Sequence, residues 1–125
     1  IEAQWHYPEA YDESLCVNFA GTPIGLVHGN QFGPGKAIDW WQAQAFGNQA
    51  ITRADICVTA HYHSFGAGVA GINPFTQRER MWLGAPTLDS GSDWYRGIKG
   101  RDSLPGTMIF DVTEAGFDLG SLKIL

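Results

Sequence analysis

Apolar and polar residues alternate along most of this 125-residue chain, and the alternation predicts short β-strands. In residues 14–20, SLCVNFA, every second side chain is a large apolar one, as in a half-buried strand. A turn at residues 21–23 and a second apolar run, IGLV from Ile24, then predict a β-hairpin. The remaining strand-like runs are ICVTA (56–60), AGVAGI (67–72), ERMWLGAP (79–86), GTMIFDV (106–112) and FDLGSLKIL (117–125), the last two joined as a hairpin across TEAG.

Residues 36–46, KAIDWWQAQAF, form the one segment with clear helical spacing. Ile38 and Trp41 fall on one helical face, and Gly47 follows the segment as a typical stop signal. The adjacent residues Trp40 and Trp41 cannot share a face, so we expect one to anchor the core and the other to cover a loop. Many short strands with one helix predict an α/β fold, a layered sheet structure with few helices.

Composition narrows the class of protein. The chain is 44% hydrophobic and 13% aromatic, which argues against intrinsic disorder. Its net charge of -5 gives no electrostatic surface for nucleic acid or anionic membrane, although bound metal ions can supply the positive charge that a phosphate needs. There is no signal-type N-terminus and no apolar run of transmembrane length. We therefore expect a cytoplasmic protein without membrane contact.

Both cysteines, Cys16 and Cys57, lie in apolar strand-like runs. In such runs a free cysteine usually behaves as a small buried hydrophobic residue. We therefore expect both thiols to be reduced and structural, rather than part of a disulfide or a metal site.

Three histidines directly follow predicted strands. His28 follows IGLV, and His61 and His63 follow ICVTA. Residues i and i+2 of an extended chain point to the same side, so the last two would face one place. Open α/β sheets carry their chemistry at strand ends, and neutral imidazole is the commonest side-chain metal ligand. Spacing alone leaves two interpretations open, a metal site or ordinary polar residues at the end of a strand.

Two loops carry further candidate chemistry. The loop GNQFGPG, residues 29–35, is rich in glycine but lacks the Gly-Lys-Ser/Thr ending of a phosphate-binding P-loop. In the long polar loop of residues 87–104, Arg96 lies close to Trp94 and Tyr95. A basic and aromatic loop can hold a phosphate or stack a base. Arg96 is therefore a candidate substrate-binding residue, with an ordinary solvated loop as the alternative.

The run GLVHGN (25–30) followed by VTAHYHSF (58–65) resembles the last two motifs of the calcineurin-like metallophosphoesterases. In that family one strand ends in His-Gly-His or a variant, and a later strand ends in Gly-His-x-His. Residues 86–117 also resemble the C-terminal part of exonuclease-like members from actinobacteria and their phages. The resemblance extends over residues 15–125. It implies a layered β-sandwich of the α/β class, with residues 1–125 forming the C-terminal portion of the domain.

The resemblance implies a two-metal centre and a phosphodiester substrate, either nucleic acid or a nucleotide. His28 and His61 would bind the second metal, and His63 the first. Asn30 replaces the second histidine of His-Gly-His and is a candidate for contact with a phosphate. Ala60 replaces the glycine of Gly-His-x-His without removing a ligand. The implied ions are divalent, Mn²⁺ first, with Zn²⁺, Fe or Mg²⁺ as alternatives.

The family's earlier motifs, Asp-x-His, Gly-Asp and Gly-Asn-His, do not occur in this sequence. The resemblance therefore implies that a missing N-terminal half of the domain supplies the other ligands. On this interpretation the chain is inactive alone and contains no catalytic residue of its own. The alternatives are a non-catalytic companion or binding module that keeps the fold for assembly, and a cupin-type barrel with one metal. Homo-oligomerisation also stays open.

Overall fold

The computed structural model describes residues 13–89 and 104–125. Within them the chain forms seven β-strands, one α-helix and two short 3₁₀-helices. The strands are β1 (Ser14–Phe19), β2 (Thr22–Val27), β3 (Ile56–Thr59), β4 (Gly66–Ile72), β5 (Glu79–Gly84), β6 (Met108–Thr113) and β7 (Gly116–Ile124). The helix α1 (Ala37–Ala43) is followed by the 3₁₀-helices Gln44–Gly47 and Ala50–Arg53.

Five strands form an open sheet in the order β1-β2-β3-β5-β4. The three central strands, β2, β3 and β5, are parallel, whereas β1 and β4 pair antiparallel at the two edges. Strands β6 and β7 form a separate two-stranded antiparallel sheet. The parallel strands therefore end side by side, at Val27, Thr59 and Gly84.

The β6–β7 hairpin covers one face of the five-stranded sheet. On that face Ile24, Ile56 and Leu83 are buried, one from each parallel strand. They pack against the inward side chains of the hairpin, which are Met108, Phe110, Val112, Phe117 and Leu122. The two sheets thus form a sandwich, with its core between them.

The helix α1 covers the opposite face. Trp41 is 1% exposed, and its indole N–H donates to the carbonyl oxygen of Ile51 at 2.8 Å. Trp40 is half-buried and lies against Phe32, with 5.4 Å between ring centroids. Because Phe32 belongs to the loop of residues 29–35, this confirms the roles predicted for the two tryptophans.

The helix is shorter than its pattern predicts. It ends at Ala43 rather than at residue 46, and the chain tightens into the 3₁₀-helix Gln44–Gly47. Asn48 then adopts a left-handed conformation with φ of 50°, which stops the helix as glycine or asparagine commonly does.

A buried polar network connects the amino ends of the parallel strands to the hairpin. Asp55 is 2% exposed. It accepts hydrogen bonds from Asn73 Nδ2 at 2.8 Å, from the Thr76 hydroxyl and from Arg78 Nη1 at 3.4 Å. Arg78 Nη2 also donates to the carbonyl oxygen of Glu114 at 2.6 Å, in the turn between β6 and β7. Asp55 is therefore the buried acceptor at the centre of this network.

The layered α/β fold with few helices and the two hairpins are confirmed. Both thiols are free, as expected. The five-stranded sheet is open, with free edges at β1 and β4, so in the described part of the chain there is no closed barrel and the cupin-type alternative is wrong. No helix in residues 13–89 or 104–125 has the length and apolar character needed to cross a membrane.

Candidate functional site

Two of the three candidate histidines meet at the carboxyl ends of the parallel strands. His28 follows β2 directly, and His61 lies two residues beyond the end of β3. Their facing atoms, His28 Nε2 and His61 Nδ1, are 3.1 Å apart, and the ring planes cross at 68°. His28 is exposed and His61 half-buried, so the pair borders the solvent.

The backbone brings the two histidines together. The N–H of Ala60 donates to the carbonyl oxygen of His28 at 2.8 Å, which joins the loops that follow β2 and β3. Gly29 has φ of +113°, and a Cβ at this position would lie 3.0 Å from the Ala60 carbonyl oxygen and 3.3 Å from the His61 Cβ. Glycine is therefore needed at position 29 for both its conformation and the close approach.

The His-x-His segment is not extended. Strand β3 ends at Thr59, and His61 and His63 have φ of 68° and 58°. The prediction that residues 61–63 are extended is therefore wrong. Left-handed conformations of residues other than glycine cost of order 1–3 kcal/mol each and cluster at functional sites.

Tyr62, between the two histidines, fixes this segment to its surroundings. Its N–H donates to the carbonyl oxygen of Ala60 at 2.8 Å, and its hydroxyl donates to the carbonyl oxygen of Phe32. The hydroxyl bond connects the His-x-His segment to the glycine-rich loop. No motif in the sequence points to this role, because the partner carbonyl of Phe32 lies 30 residues away along the chain.

The geometry of the histidine pair fits a shared metal ion. Two imidazole nitrogens that bind one ion at the usual length of roughly 2.0–2.1 Å lie about 2.8–3.4 Å apart, depending on the coordination angle. The separation of 3.1 Å between His28 Nε2 and His61 Nδ1 falls in this range, and it also suits a hydrogen bond between neutral imidazoles. Among the described residues, no three His, Cys, Asp or Glu side chains are grouped closely enough to hold a metal. The two histidines by themselves therefore fall short of a three-ligand group.

The candidate residues for substrate binding lie outside this pair. Asn30 is exposed in the glycine-rich loop, next to Gly29, whose N–H donates to Gln31 Oε1 at 3.0 Å. Arg96 and its aromatic neighbours fall outside the described residues, so their predicted role stays a prediction.

The cysteines contribute no reactive thiol to this site. Cys57 is fully buried on the α1 side of the sheet, and burial raises the pKa of its thiol to about 12. Burial also raises the pKa of Cys16. The thiolate is the form that acts as nucleophile and metal ligand, and burial disfavours this form at both positions.

Two cavities flank the strand ends where the histidines lie. One, of about 420 Å³, is lined by His28 and by residues of β1, β2 and β3. The other, of about 210 Å³, has aromatic walls. Thr59 and Ala60 line both cavities, the first on the hairpin side of the sheet with Leu26 and Val58 and the second on the α1 side with Ala37. The aromatic side chains of the second cavity are Phe32, Tyr62, Phe65 and Trp82.

A scan against protein-family models found no match, and a search of curated protein sequences found none either. Among solved structures, the chain is similar to Vps29 from Entamoeba histolytica complexed with Zn²⁺. The TM-score is 0.59 at 17% identity, over 100% of this chain and 65% of that chain. A double mutant of the same Vps29 aligns with a TM-score of 0.56 at 18% identity, over 94% of this chain and 64% of that chain.

These similarities show the fold alone. The chain has a fold similar to that of Vps29, which confirms the layered α/β sandwich with few helices that the resemblance implied. It spans 65% of the length of the Vps29 chain.

Proposed function

We propose that this chain forms part of a metal-dependent phosphoesterase that hydrolyses phosphodiesters. His28, His61 and His63 supply part of a two-metal centre. The observation that carries the proposal is the 3.1 Å approach of His28 Nε2 to His61 Nδ1 at the carboxyl ends of parallel strands, where open α/β sheets bind their ligands. A Vps29 structure with this fold was determined with Zn²⁺, which supports divalent metal binding in the fold.

The metals would supply Lewis-acid activation of the phosphate and of the attacking water. The chain's own residues bind the metal ions and orient the phosphate. His28 and His61 present imidazole nitrogens, the Asn30 amide donates to a phosphate oxygen, and Arg96 pairs with the phosphate through its planar fork of N–H donors. Imidazole ligands suit Fe and Zn²⁺, whereas Mg²⁺ prefers oxygen. Mn²⁺ is our first choice because the resemblance implies it.

The rest of the ligand set is proposed to come from an N-terminal half of the same domain. The residues described here contain no three-ligand group, and the described fold matches 65% of the Vps29 chain. On this proposal the chain alone binds metal weakly and turns over substrate poorly, and the intact protein acts in the cytoplasm on nucleic acid or nucleotides.

Mn²⁺ titration by calorimetry tests the ligand assignment. We expect His61→Ala to weaken Mn²⁺ binding at least about tenfold, since loss even of a residue that only supports a ligand costs 10–100-fold. Gln42→Ala, an exposed change on α1, is the control. Hydrolysis of bis-p-nitrophenyl phosphate with Mn²⁺ is measured in parallel. Equal Mn²⁺ affinity for the parent chain and His61→Ala would sink the assignment.

A second candidate is a non-catalytic companion or binding module. Large apolar side chains are exposed near the hairpin, including Phe19 at 56% and Leu88 at 80%. Exposed apolar patches commonly mark protein interfaces. The coding sequence before residue 1 separates the candidates, because Asp-x-His, Gly-Asp and Gly-Asn-His there favour the enzyme. A start codon at Ile1 favours the companion, and sedimentation then shows whether a second copy is its partner.

A further inference from the structure

We propose that the aromatic cavity beside the histidine pair binds the nucleobase of the substrate, so that the substrate class is a nucleotide or the end of a nucleic-acid strand. The proposal rests on the proposed function, since it places the phosphate at His28 and His61. The base would enter between the side chains of Phe32, Tyr62, Phe65 and Trp82.

The shape and chemistry of the cavity favour one planar ring system. Its volume is about 210 Å³, below the roughly 300–1,000 Å³ of pockets that hold drug-sized molecules. Four of its wall residues are aromatic. Aromatic side chains bind bases by stacking, which tolerates any base because each has a π-face. Phe65, 45% exposed, is the most exposed of the four aromatic wall residues.

One wall of the cavity is held in place before any ligand binds. The indole N–H of Trp82 donates to Thr59 Oγ1 at 2.9 Å, and the ring lies close to two glycines. A Cβ on Gly66 would be 2.6 Å from Trp82 Cη2, and a Cβ on Gly84 would be 3.0 Å from Trp82 Cζ2. The indole therefore needs both glycines in order to lie flat here. A wall fixed in this way loses little conformational freedom when a base binds.

The cavity borders the histidine site through Tyr62, which lines the cavity and contacts the His61 ring. Thr59 and Ala60 line both this cavity and the one that contains His28. The rings of Tyr62 and His61 lie edge to face, with 4.9 Å between their centroids. A base in the cavity thus lies one residue away from the proposed phosphate position, which matches a base and a phosphate carried on one sugar.

The charge of the chain favours a short ligand. A net charge of -5 repels long polyanions, whose binding depends on clustered Lys and Arg. A mononucleotide or a strand end brings only one or two phosphates to the site. Neutral stacking therefore supplies the recognition, and the metals offset the charge.

Equilibrium dialysis with adenosine tests the cavity without the phosphate. The probe carries no phosphate, so the measurement needs no Mn²⁺. We expect saturable binding that Phe65→Ala weakens roughly 5- to 150-fold, the range for loss of one stacking partner. Phe75→Ala is the matched control, because Phe75 is also exposed, at 65%, but does not line the cavity. Circular dichroism checks that both variants fold.

A second variant covers the case in which Phe65→Ala alone is uninformative. Gly66→Ala pushes against Trp82 and should weaken adenosine binding while Mn²⁺ binding is kept. The absence of saturable adenosine binding, or equal binding by the parent chain, Phe65→Ala and Gly66→Ala, overturns the proposal. Equal binding of ribose and adenosine overturns it as well.

The outcomes distinguish this proposal from the proposed function. With Mn²⁺ present, we expect AMP to bind more tightly than adenosine, and His61→Ala to abolish that gain while leaving adenosine binding intact. If His61→Ala leaves both Mn²⁺ binding and the AMP gain unchanged, the phosphoesterase proposal fails although the cavity still binds a base. If AMP and a short single strand of oligo-dA bind equally per strand end, the ligand includes nucleic-acid ends; tighter AMP binding restricts it to nucleotides.

Discussion

Two residues without polar side chains, Gly29 and Ala60, hold His28 and His61 close together. Gly29 permits the turn after β2, and Ala60 donates its N–H to the carbonyl oxygen of His28. Neither residue binds a metal, yet the 3.1 Å contact between His28 and His61 depends on both. Substitutions at these positions should therefore act on geometry, and their effects are predictable from backbone conformation.

Gly29→Ala should lower both stability and metal affinity. The new Cβ would lie 3.0 Å from the Ala60 carbonyl oxygen, on a residue with φ of +113°. A left-handed backbone costs a residue other than glycine about 1–2 kcal/mol, so urea unfolding should show a loss of at least about 1 kcal/mol. Gly33→Ala, whose Cβ meets nothing within 4 Å, is the control and should be neutral or slightly stabilising. Equal stability of the two variants would contradict this account.

The buried thiol of Cys57 predicts a loss of stability at alkaline pH. Burial raises its pKa from 9.0 to about 12, so the folded state binds this proton more tightly than the unfolded state. The contribution to stability is fully present below pH 9.0 and is lost as pH rises from there through about 12. Urea midpoints measured across this range should fall less steeply for Cys57→Ala than for the parent chain. The same slope in both proteins would show that other groups cause the loss.

At the level of secondary-structure elements, the hairpin β6–β7 is the part that depends most on contacts with the rest of the fold. A two-stranded sheet is marginal on its own. The hairpin is held by the apolar core on one side and by the Asp55–Arg78 network at its turn, where Arg78 reaches the carbonyl oxygen of Glu114. The network therefore determines how firmly the second sheet docks.

Asp55→Ala should loosen the hairpin and destabilise the chain. The change removes one hydrogen-bond acceptor each from Asn73, Thr76 and Arg78. Removing one partner of a buried ion pair costs about 3–5 kcal/mol, and we expect the low end, about 3 kcal/mol, because the Arg78 side chain is 31% exposed. Asp111→Ala, at an exposed position of β6, should change stability by less than about 0.5 kcal/mol. Faster amide exchange across β6 and β7 in Asp55→Ala alone would support the role of the network.

The sequence predicts the strands and helices correctly where a single local pattern determines them. Alternating strands such as β1 and β2, with a short turn between them, were recovered to within a few residues. The end of α1 was predicted too late, because the 3₁₀ turn and the left-handed Asn48 depend on the packing of Trp41 against Ile51. The backbone of His61 and His63 was predicted wrongly, because strand alternation stops at Thr59 and a hydrogen bond from Tyr62 to a distant loop takes over.

At the scale of the whole molecule, the residues of the site come from segments that are far apart in the sequence. The proposed ligands His28 and His61 were identifiable because each directly follows an apolar strand. The aromatic cavity was not, since Phe32, Phe65 and Trp82 come from separate parts of the chain. Only the parallel order of β2, β3 and β5 brings these side chains to one edge of the sheet.

We expect another polypeptide to cover this chain at the groove between the hairpin and the sheet. It measures about 420 Å³ and has Phe19, Leu26, Leu88 and Met108 among its lining residues. Phe19 and Leu88 are 56% and 80% exposed, which is unusual for large apolar side chains so close together. If the proposed function holds, we expect the N-terminal half of the domain to cover this groove.

The fluorescence of anilinonaphthalene sulfonate, which binds exposed apolar surface, measures this coverage. The chain alone should bind the dye, and Phe19→Ser should reduce the signal. Phe46→Ser is the control, because Phe46 is 95% exposed but lies outside the groove. Co-expression with the polypeptide encoded upstream should suppress the dye signal and raise Mn²⁺ affinity together. Suppression without a gain in Mn²⁺ affinity would favour the companion module, because the added chain would then cover the groove without completing the ligand set.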